Sequence, residues 1–186
     1  MNKAHIDFLA SPDWARMLQT DLVPWVDGAG DLGDDVLEIG PGPGLTTDLL
    51  RARVEHVTAV EVDPALADAL TARLAGSNVD VLCGDGTATG LGPDRFSSAM
   101  CFSVLHHLPS AEVQDRLFEE IARVLRPGGI LVGVDALDLE PTRAGHADDV
   151  FTPIDPAALA SRLAAAGLIQ TRLDIGDYQF RFVATA

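Results

Sequence analysis

Short segments rich in β-branched residues alternate with longer segments rich in alanine and leucine along this chain of 186 residues. That alternation is typical of βαβ units, so it predicts an α/β fold built on a parallel sheet. We predict strands at 36–40, 57–62, 79–83, 96–102 and 130–134, and two closing strands at 168–175 and 178–185. Only Gly176 and Asp177 separate the closing strands, which predicts a hairpin and therefore an antiparallel edge of the sheet.

Helices are predicted between these strands, at 45–52, 64–74, 111–125 and 155–166. Gly167 follows the last of them, at the position where a residue in the left-handed conformation ends many helices. The polar and acidic segment 138–149 is predicted to be a mobile loop.

Another helix is predicted before the first strand. Ser11-Pro12-Asp13 is typical of a helix start, and apolar residues then recur at helical spacing until Pro24, where the helix is predicted to end. The apolar positions are Trp14, Met17, Leu18, Leu22 and Trp25. This amphipathic helix could pack on the sheet, cover a ligand, or do both.

Acidic residues outnumber basic residues by 28 to 13, which gives a formal net charge of −15. A surface of that charge repels phosphate backbones and anionic lipid, so it disfavours a nucleic-acid partner. The apolar segments are too short to span a bilayer, and residues 1–7 lack the apolar core of a secretory signal. Cys83 and Cys101 lie in apolar segments and are predicted to be small buried side chains, without a disulfide or a metal. We expect a cytoplasmic protein, a monomer or homodimer, with one domain: residues 1–30 as a helical cap and 36–186 as the sheet core.

A glycine-rich segment between the first predicted strand and its helix carries the most information about function. It reads Glu38-Ile39-Gly40-Pro41-Gly42-Pro43-Gly44. Glycines in such a turn let the backbone bend tightly and approach a ligand closely. A dinucleotide fingerprint would place its third glycine where Leu45 stands, and the Gly-Lys-Ser/Thr of a phosphate-binding P-loop is missing. The segment therefore favours an adenosine ligand without a pyrophosphate.

Two carboxylates flank this segment in the predicted fold. Glu61 lies at the end of the second strand, 21 residues after Gly40, where an acid in nucleotide-binding folds accepts the ribose hydroxyls. The alternative is an ordinary solvated carboxylate. Glu38 lies inside an apolar strand and needs a cation or several donors there. It could meet a ligand ammonium, directly or through water, or it could pair with backbone groups or an arginine.

Five motifs in order resemble the class I S-adenosylmethionine-dependent methyltransferases, in the small-molecule branch similar to methyltransferase type 11. They are Val36 to Gly44, Val60-Glu61-Val62-Asp63-Pro64, Gly84-Asp85-Gly86-Thr87, Phe102-Ser103-Val104-Leu105-His106-His107-Leu108 and Leu125-Arg126-Pro127-Gly128-Gly129-Ile130-Leu131. The resemblance implies a Rossmann-like, doubly wound sheet of seven strands in the order 3-2-1-4-5-7-6, with strand 7 antiparallel and an N-terminal helix.

The resemblance also implies S-adenosylmethionine as the cofactor, with Asp85 accepting from the adenine amine. The implied cofactor-binding residues are Glu38, Gly40, Pro41, Gly42, Gly44, Glu61, Val62, Gly84, Asp85, Gly86, Thr87, Phe102 and Ser103. No metal site is predicted. Methyl transfer from a sulfonium is an in-line displacement in which positive charge on sulfur disperses, so both flanking carboxylates are expected to hold the cofactor's periphery and not its sulfur.

The acceptor motif after the fourth strand departs from one branch of the family. Phe102-Ser103-Val104-Leu105 stands where amino-group nucleic-acid methyltransferases carry Asn/Asp-Pro-Pro-Tyr/Phe, and large recognition insertions are missing. We therefore expect a small or apolar acceptor and not a nucleic acid. The candidate catalytic residues are His106 and His107 as bases, with weaker candidates at His5, Asp135, His146 and Tyr178. The alternatives are a cofactor-binding regulatory protein without turnover and an NAD(P)-dependent oxidoreductase.

Overall fold

The computed structural model describes residues 9–186, and a sheet of seven strands runs through it. The strands are β1 (Asp35–Ile39), β2 (His56–Glu61), β3 (Val79–Cys83), β4 (Phe96–Phe102), β5 (Leu125–Ala136), β6 (Ile169–Ile175) and β7 (Gln179–Thr185). Their order is β3-β2-β1-β4-β5-β7-β6. β1 to β5 are parallel to one another, whereas β7 is antiparallel to both β5 and β6. The predicted fold, strand order and closing hairpin are confirmed.

Helices cover both faces of this sheet. They are α1 (Pro12–Met17), α2 (Val23–Asp27), α3 (Leu45–Leu50), α4 (Pro64–Leu74), α5 (Ala111–Val124), α6 (Glu140–Gly145) and α7 (Pro156–Ala165). A π-helical turn at Leu18–Leu22 joins α1 to α2, and 3₁₀ turns lie at Gly86–Ala88 and Leu105–His107. Within residues 9–186, no helix combines the length and apolarity that crossing a membrane requires.

Alternate side chains of each central strand reach opposite faces, which is why the strands are apolar throughout. On β1, Leu37 and Ile39 join a core with Leu117 and Phe118 of α5. Val36 joins a second core on the other face, together with buried side chains of the N-terminal helices, Leu18, Leu22, Trp25 and Val26. Because these side chains are buried, the N-terminal helices are held to the sheet by apolar contacts.

The N-terminal helical region differs from the prediction of a helix that ends at Pro24. The chain widens into a π-helical turn, in which the N–H of Val23 donates to the carbonyl of Leu18, and α2 then continues to Asp27. Proline has no N–H to donate and is tolerated in the first turn of a helix. Pro24 lies in the first turn of α2, so it continues the helical path where the sequence predicted its end.

Three smaller predictions are wrong. The segment 138–149, predicted as a loop, contains α6. β5 starts at Leu125, before the predicted turn, because Leu125 pairs with Phe96 across an irregularity in the ladder. Cys83 is exposed, although Cys101 is buried as predicted. β3 is an edge strand, so part of its apolar sequence faces solvent.

Candidate functional site

A cleft of about 510 Å³ opens at the carboxyl ends of β1, β2 and β4. The strand order reverses between β1 and β4, and ligands of open α/β sheets bind at such a point. The cleft is lined by residues 40–43, Leu45, Thr46, residues 61–64, Leu66 and residues 102–104, together with Leu9, Trp14, His107, Asp149 and Val150. It therefore brings together the first, second and fourth motifs of the sequence.

The glycine loop after β1 is tightly packed on one side and open on the other. Gly40 has φ +66°, and a Cβ there would lie 2.6 Å from Cγ2 of Val104, so the loop and the fourth-strand motif are in close contact. Gly42 has φ +55°, but a Cβ there would meet no atom within 4 Å. Both positions favour glycine for its backbone conformation, and Gly42 also leaves free space in the cleft.

Glu61 connects this loop to the end of β2. It is 5% exposed, and its two carboxylate oxygens accept from the backbone N–H groups of Gly42 and Asp63, each at 2.9 Å. A carboxylate has about four acceptor positions, so capacity for further donors remains. The Asp63 side chain in turn accepts from Ala65 and Leu66 at the start of α4. Glu61 is thus fixed in position at the wall of the cleft.

Glu38 lies beneath the loop and does not line the cleft. Its carboxylate accepts from the hydroxyl of Thr46 and, at 2.6 Å, from that of Thr47. Burial raises the pKa of Glu38 to about 7, against the lowering effect of the two hydroxyls. Thr46 lines the cleft, so Glu38 reaches it only through this threonine. No motif marks Thr46 as a donor to Glu38, although it follows the glycine segment at the start of the predicted helix.

The segment Gly84–Thr87 follows β3 but is not part of the cleft lining. The carboxylate of Asp85 accepts from the N–H and the hydroxyl of Thr87, at 2.8 Å and 2.9 Å, and so closes its own turn. The adenine contact expected of Asp85 stays a prediction.

The fourth-strand motif supplies one wall of the cleft. Phe102 and Ser103 line it, and Ser103 adopts φ +57°, which is uncommon for a residue other than glycine. His107 lines the same wall. His106 is buried behind it, with Nδ1 2.7 Å from the carboxylate of Asp135.

The weaker sequence candidates are scattered. Asp135 is fully buried against His106, and His146 is buried near both histidines of the fourth motif, outside the cleft lining. Tyr178 is 67% exposed in the hairpin turn, and His5 lies outside the described residues. The structure also adds Trp14 and Asp149 to the cleft wall, from segments that carry no motif.

Residues 37–133 match the family described as the methyltransferase domain, which is just over half of the chain. The chain belongs to this family. The predicted class I methyltransferase identity is thereby confirmed, and the match favours methyl transfer over the oxidoreductase alternative. S-adenosylmethionine is the cofactor of this methyltransferase family.

Solved and curated relatives of the methyltransferase agree with this assignment. A structure of an S-adenosylmethionine-dependent methyltransferase from Aquifex aeolicus superimposes with a TM-score of 0.79 at 21% identity, over 100% of this chain and 98% of the other. At that identity the likeness shows the fold.

Two curated relatives are named for different activities. A probable ribosomal RNA small subunit methyltransferase A of Methanothermobacter thermautotrophicus is 40% identical over 83 residues, 40% of this chain and 30% of that protein. A protein-L-isoaspartate O-methyltransferase of Nitrobacter winogradskyi is 36% identical over 107 residues, 55% of this chain and 45% of that protein. The methyltransferase thus spans less than half the length of these two relatives.

Proposed function

We propose that this methyltransferase moves the methyl group of S-adenosylmethionine to a small, largely apolar acceptor. One observation carries the proposal: a buried glutamate tied to a glycine loop faces an open cleft whose other walls are largely apolar. Glu61 and the space at Gly42 support a ribose diol against the loop, while Trp14, Phe102 and Val104 supply apolar surface beside it.

The residues of the site fit an adenosyl sulfonium. Glu61 would accept from the ribose hydroxyls, and backbone at Gly40, Pro41, Gly42 and Gly44 would line the cofactor, with Val62 at the neighbouring wall. Gly84, Asp85, Gly86 and Thr87 would receive the adenine, and Glu38 would act on the ammonium end through Thr46. When bound, the cofactor supplies an electrophilic methyl group and leaves as a neutral thioether.

The protein's own contribution is mainly to hold the two reactants in line, because a good leaving group needs little chemical help. Glu38 and Glu61 stay at the periphery, where they bind without stabilising the charge that is lost from sulfur in the transition state. Where the acceptor must lose a proton, His107 is the base at the cleft wall. His106, oriented by Asp135, is a positioning residue behind it.

The acceptor class is argued from charge and from the fourth-strand motif. The names of the two curated relatives concern ribosomal RNA and a protein residue. Among the described residues, no lysine or arginine lines this cleft, whereas Glu61, Asp63 and Asp149 do. Binding of RNA depends on cations that neutralise phosphates, and the net charge of −15 opposes it. These features support a small acceptor without phosphate groups.

Cofactor binding can be tested by thermal unfolding with S-adenosylhomocysteine. We expect this demethylated product of the cofactor to raise the melting temperature of the wild-type protein, because a ligand that binds only the folded state stabilises it. Glu61→Ala is expected to lose most of that shift, whereas Glu119→Ala, at an exposed position on α5, is expected to keep it. No shift in the wild-type protein would overturn the proposed cofactor site.

The acceptor can be tested with labelled S-adenosylmethionine and a panel of small phenols, amines, thiols and quinols, with structured RNA as a separate arm. We expect label in a small molecule and none above background in RNA. Label in RNA alone would refute the acceptor class. No transfer to any acceptor, with cofactor binding intact, would favour the regulatory protein without turnover.

A further inference from the structure

Three histidines from two separate segments meet behind the wall of the cleft. His106 and His107 lie on the 3₁₀ turn after β4, and His146 follows α6. Their ring centroids are 4.1, 4.9 and 5.2 Å apart, and one ring nitrogen from each lies within 4.8 Å of the other two. His106 and His146 are buried and His107 is half-buried. Three imidazoles this close together can ligate one metal ion.

Hydrogen bonds fix which nitrogen of two rings can bind a metal. The oxygens of Asp135 accept from the N–H groups of Leu105 and Ala136, so His106 Nδ1, 2.7 Å away, must be a donor. The Nδ1 of His146 lies 2.7 Å from the carbonyl of Thr142, which can only accept, so it also carries the proton. In each ring Nε2 is therefore the nitrogen that can offer a lone pair to a metal. A histidine that donates its second N–H to a carboxylate or a carbonyl is the usual arrangement of a metal ligand.

The Nε2 atom of His106 is the strongest single sign of a ligand. It is buried and makes no hydrogen bond within residues 9–186, in a side chain that is 2% exposed. A buried polar atom without a partner costs free energy, and a bound ion would remove that cost.

Hydrogen bonds hold the turn that contains His106 and His107 close to the segment that follows His146. The N–H of Thr152 donates to the carbonyl of His106 at 2.7 Å. The side-chain amide of Gln114 donates to the carbonyls of Leu105 and Thr152, at 2.9 Å and 2.7 Å. Phe151 stacks on His146, with 4.7 Å between centroids, and gives the cluster an apolar side. The ligand set is thus supported by contacts outside the rings.

We propose that His106, His107 and His146 bind one divalent transition-metal ion of the zinc type. Imidazole nitrogens bind Zn²⁺ at about 2.0–2.1 Å in a tetrahedral arrangement, which places them about 3.3 Å apart. The three nitrogens, which lie within 4.8 Å of one another, must therefore move closer by up to roughly 1.5 Å around the ion. Three protein ligands leave the fourth position of the tetrahedron for water or another oxygen donor.

This site is separate from the proposed methyl-donor site, although His107 contributes to the wall of the cleft. A ring nitrogen bound to a metal has no lone pair for a proton. His107 would therefore act as a base only in the metal-free protein. Binding of the metal does not depend on methyl transfer, so the two proposals can fail independently.

The test is equilibrium dialysis of untagged full-length protein with Zn²⁺, followed by elemental analysis. A Cys83→Ser background removes the exposed thiol as a competing ligand. We expect one zinc per chain, at least tenfold weaker binding in His146→Ala, and unchanged binding in His56→Ala, a histidine outside the cluster. Asp135→Asn is expected to weaken binding about 10- to 100-fold.

Cobalt gives a second, spectroscopic measurement, because Co²⁺ held tetrahedrally by nitrogen absorbs visible light. We expect those bands in the wild-type protein and not in His146→Ala, with both proteins folded by circular dichroism. The proposal is overturned if the wild-type protein retains no zinc at micromolar free Zn²⁺. It is equally overturned if His146→Ala binds zinc as tightly as the wild type.

Discussion

Glu61 is the residue on which the geometry of the cleft depends most directly. Its two oxygens accept from Gly42 on the glycine loop and from Asp63 at the start of α4, so one side chain sets the distance between two segments. Substitution of Glu61 is therefore expected to remove the proposed ribose contact and also to loosen two walls of the cleft. A variant that changes the cleft without touching this side chain separates the two effects.

Gly42→Ala is such a variant, and Gly76→Ala is its matched control. Both glycines have positive φ, +55° and +78°, and a Cβ at either would meet no atom within 4 Å. Each substitution is expected to cost about 1 kcal/mol of backbone strain. Only the methyl at position 42 would enter the cleft, so Gly42→Ala is expected to lose the thermal shift with S-adenosylhomocysteine while Gly76→Ala keeps it. Equal shifts in both variants would show that the cofactor does not approach Gly42.

Glu38 is predicted to make stability depend on pH. Burial raises its pKa to about 7, above the 4.5 of an exposed glutamate. The folded state therefore binds this proton more tightly than the unfolded state. Its contribution to stability is full below pH 4.5 and falls by about 3 kcal/mol as the pH rises through 7.

Urea unfolding of the wild type and Glu38→Gln between pH 4.5 and 8 measures how much Glu38 contributes to the pH dependence of the free energy of unfolding. The other titratable groups are present in both proteins, so their effects cancel in the difference. We expect the stability difference between variant and wild type to shift in favour of Glu38→Gln as the pH rises. Parallel pH profiles would contradict the raised pKa.

At the scale of elements, the 3₁₀ turn after β4 depends on a helix that does not touch the cleft. Gln114 of α5 is 1% exposed. Its side-chain amide donates hydrogen bonds to the carbonyl of Leu105 in this turn and to the carbonyl of Thr152. Gln114→Leu would leave the carbonyl of Thr152 without that donor, at a cost of about 1–3 kcal/mol. We expect faster amide hydrogen exchange over residues 146–152, measured by mass spectrometry. Gln19→Leu, at an exposed position, is expected to leave that exchange unchanged.

The strands could be predicted because each central strand is apolar on both faces and the linking helices have clear starts, whereas their order is implied by the resemblance to the methyltransferase family. Asp63 before Pro64 and Asp155 before Pro156 both cap helices in the structure, and Gly167 ends α7 with φ +90°. These signals are local, so a sequence carries them in full. The end of the N-terminal helical region could not be predicted, since Pro24 stops a helix or begins one depending on the turn before it.

The candidate site could be predicted only where a motif lies next to its own strand. Gly40, Gly42 and Glu61 belong to loops that directly follow β1 and β2, and the structure brings them together. The partners of Glu38 lie only eight and nine residues further along the chain, whereas the cluster around His146 depends on how distant segments pack. No pattern around residue 146 indicates that it lies against His106, because that contact depends on α6, which the sequence predicted as a loop.

At the scale of the molecule, the excess of acidic residues is expected to make stability depend on salt. The 13 basic residues cannot pair with all 28 acidic ones, so like charges repel one another in the folded state. Raising the salt concentration from about 0.01 M to about 1 M shortens the screening length from about 30 Å to about 3 Å.

We therefore expect the melting temperature to rise with added NaCl, measured by calorimetry without ligand. A neutral solute at the same osmolality serves as the control. A fall in melting temperature would show that the surface ion pairs outweigh the repulsion.

The thiols of Cys83 and Cys101 differ enough in their surroundings to react differently with a thiol reagent. Burial raises the pKa of Cys101 well above that of an ordinary thiol, whereas Cys83 is exposed at the last residue of β3. The thiolate is the reactive form, so a maleimide dye would attach at one place only. That place immediately precedes Gly84 and the turn expected to meet adenine. The native chain thus has one accessible thiol, at which a fluorescent dye would report the binding of a nucleoside.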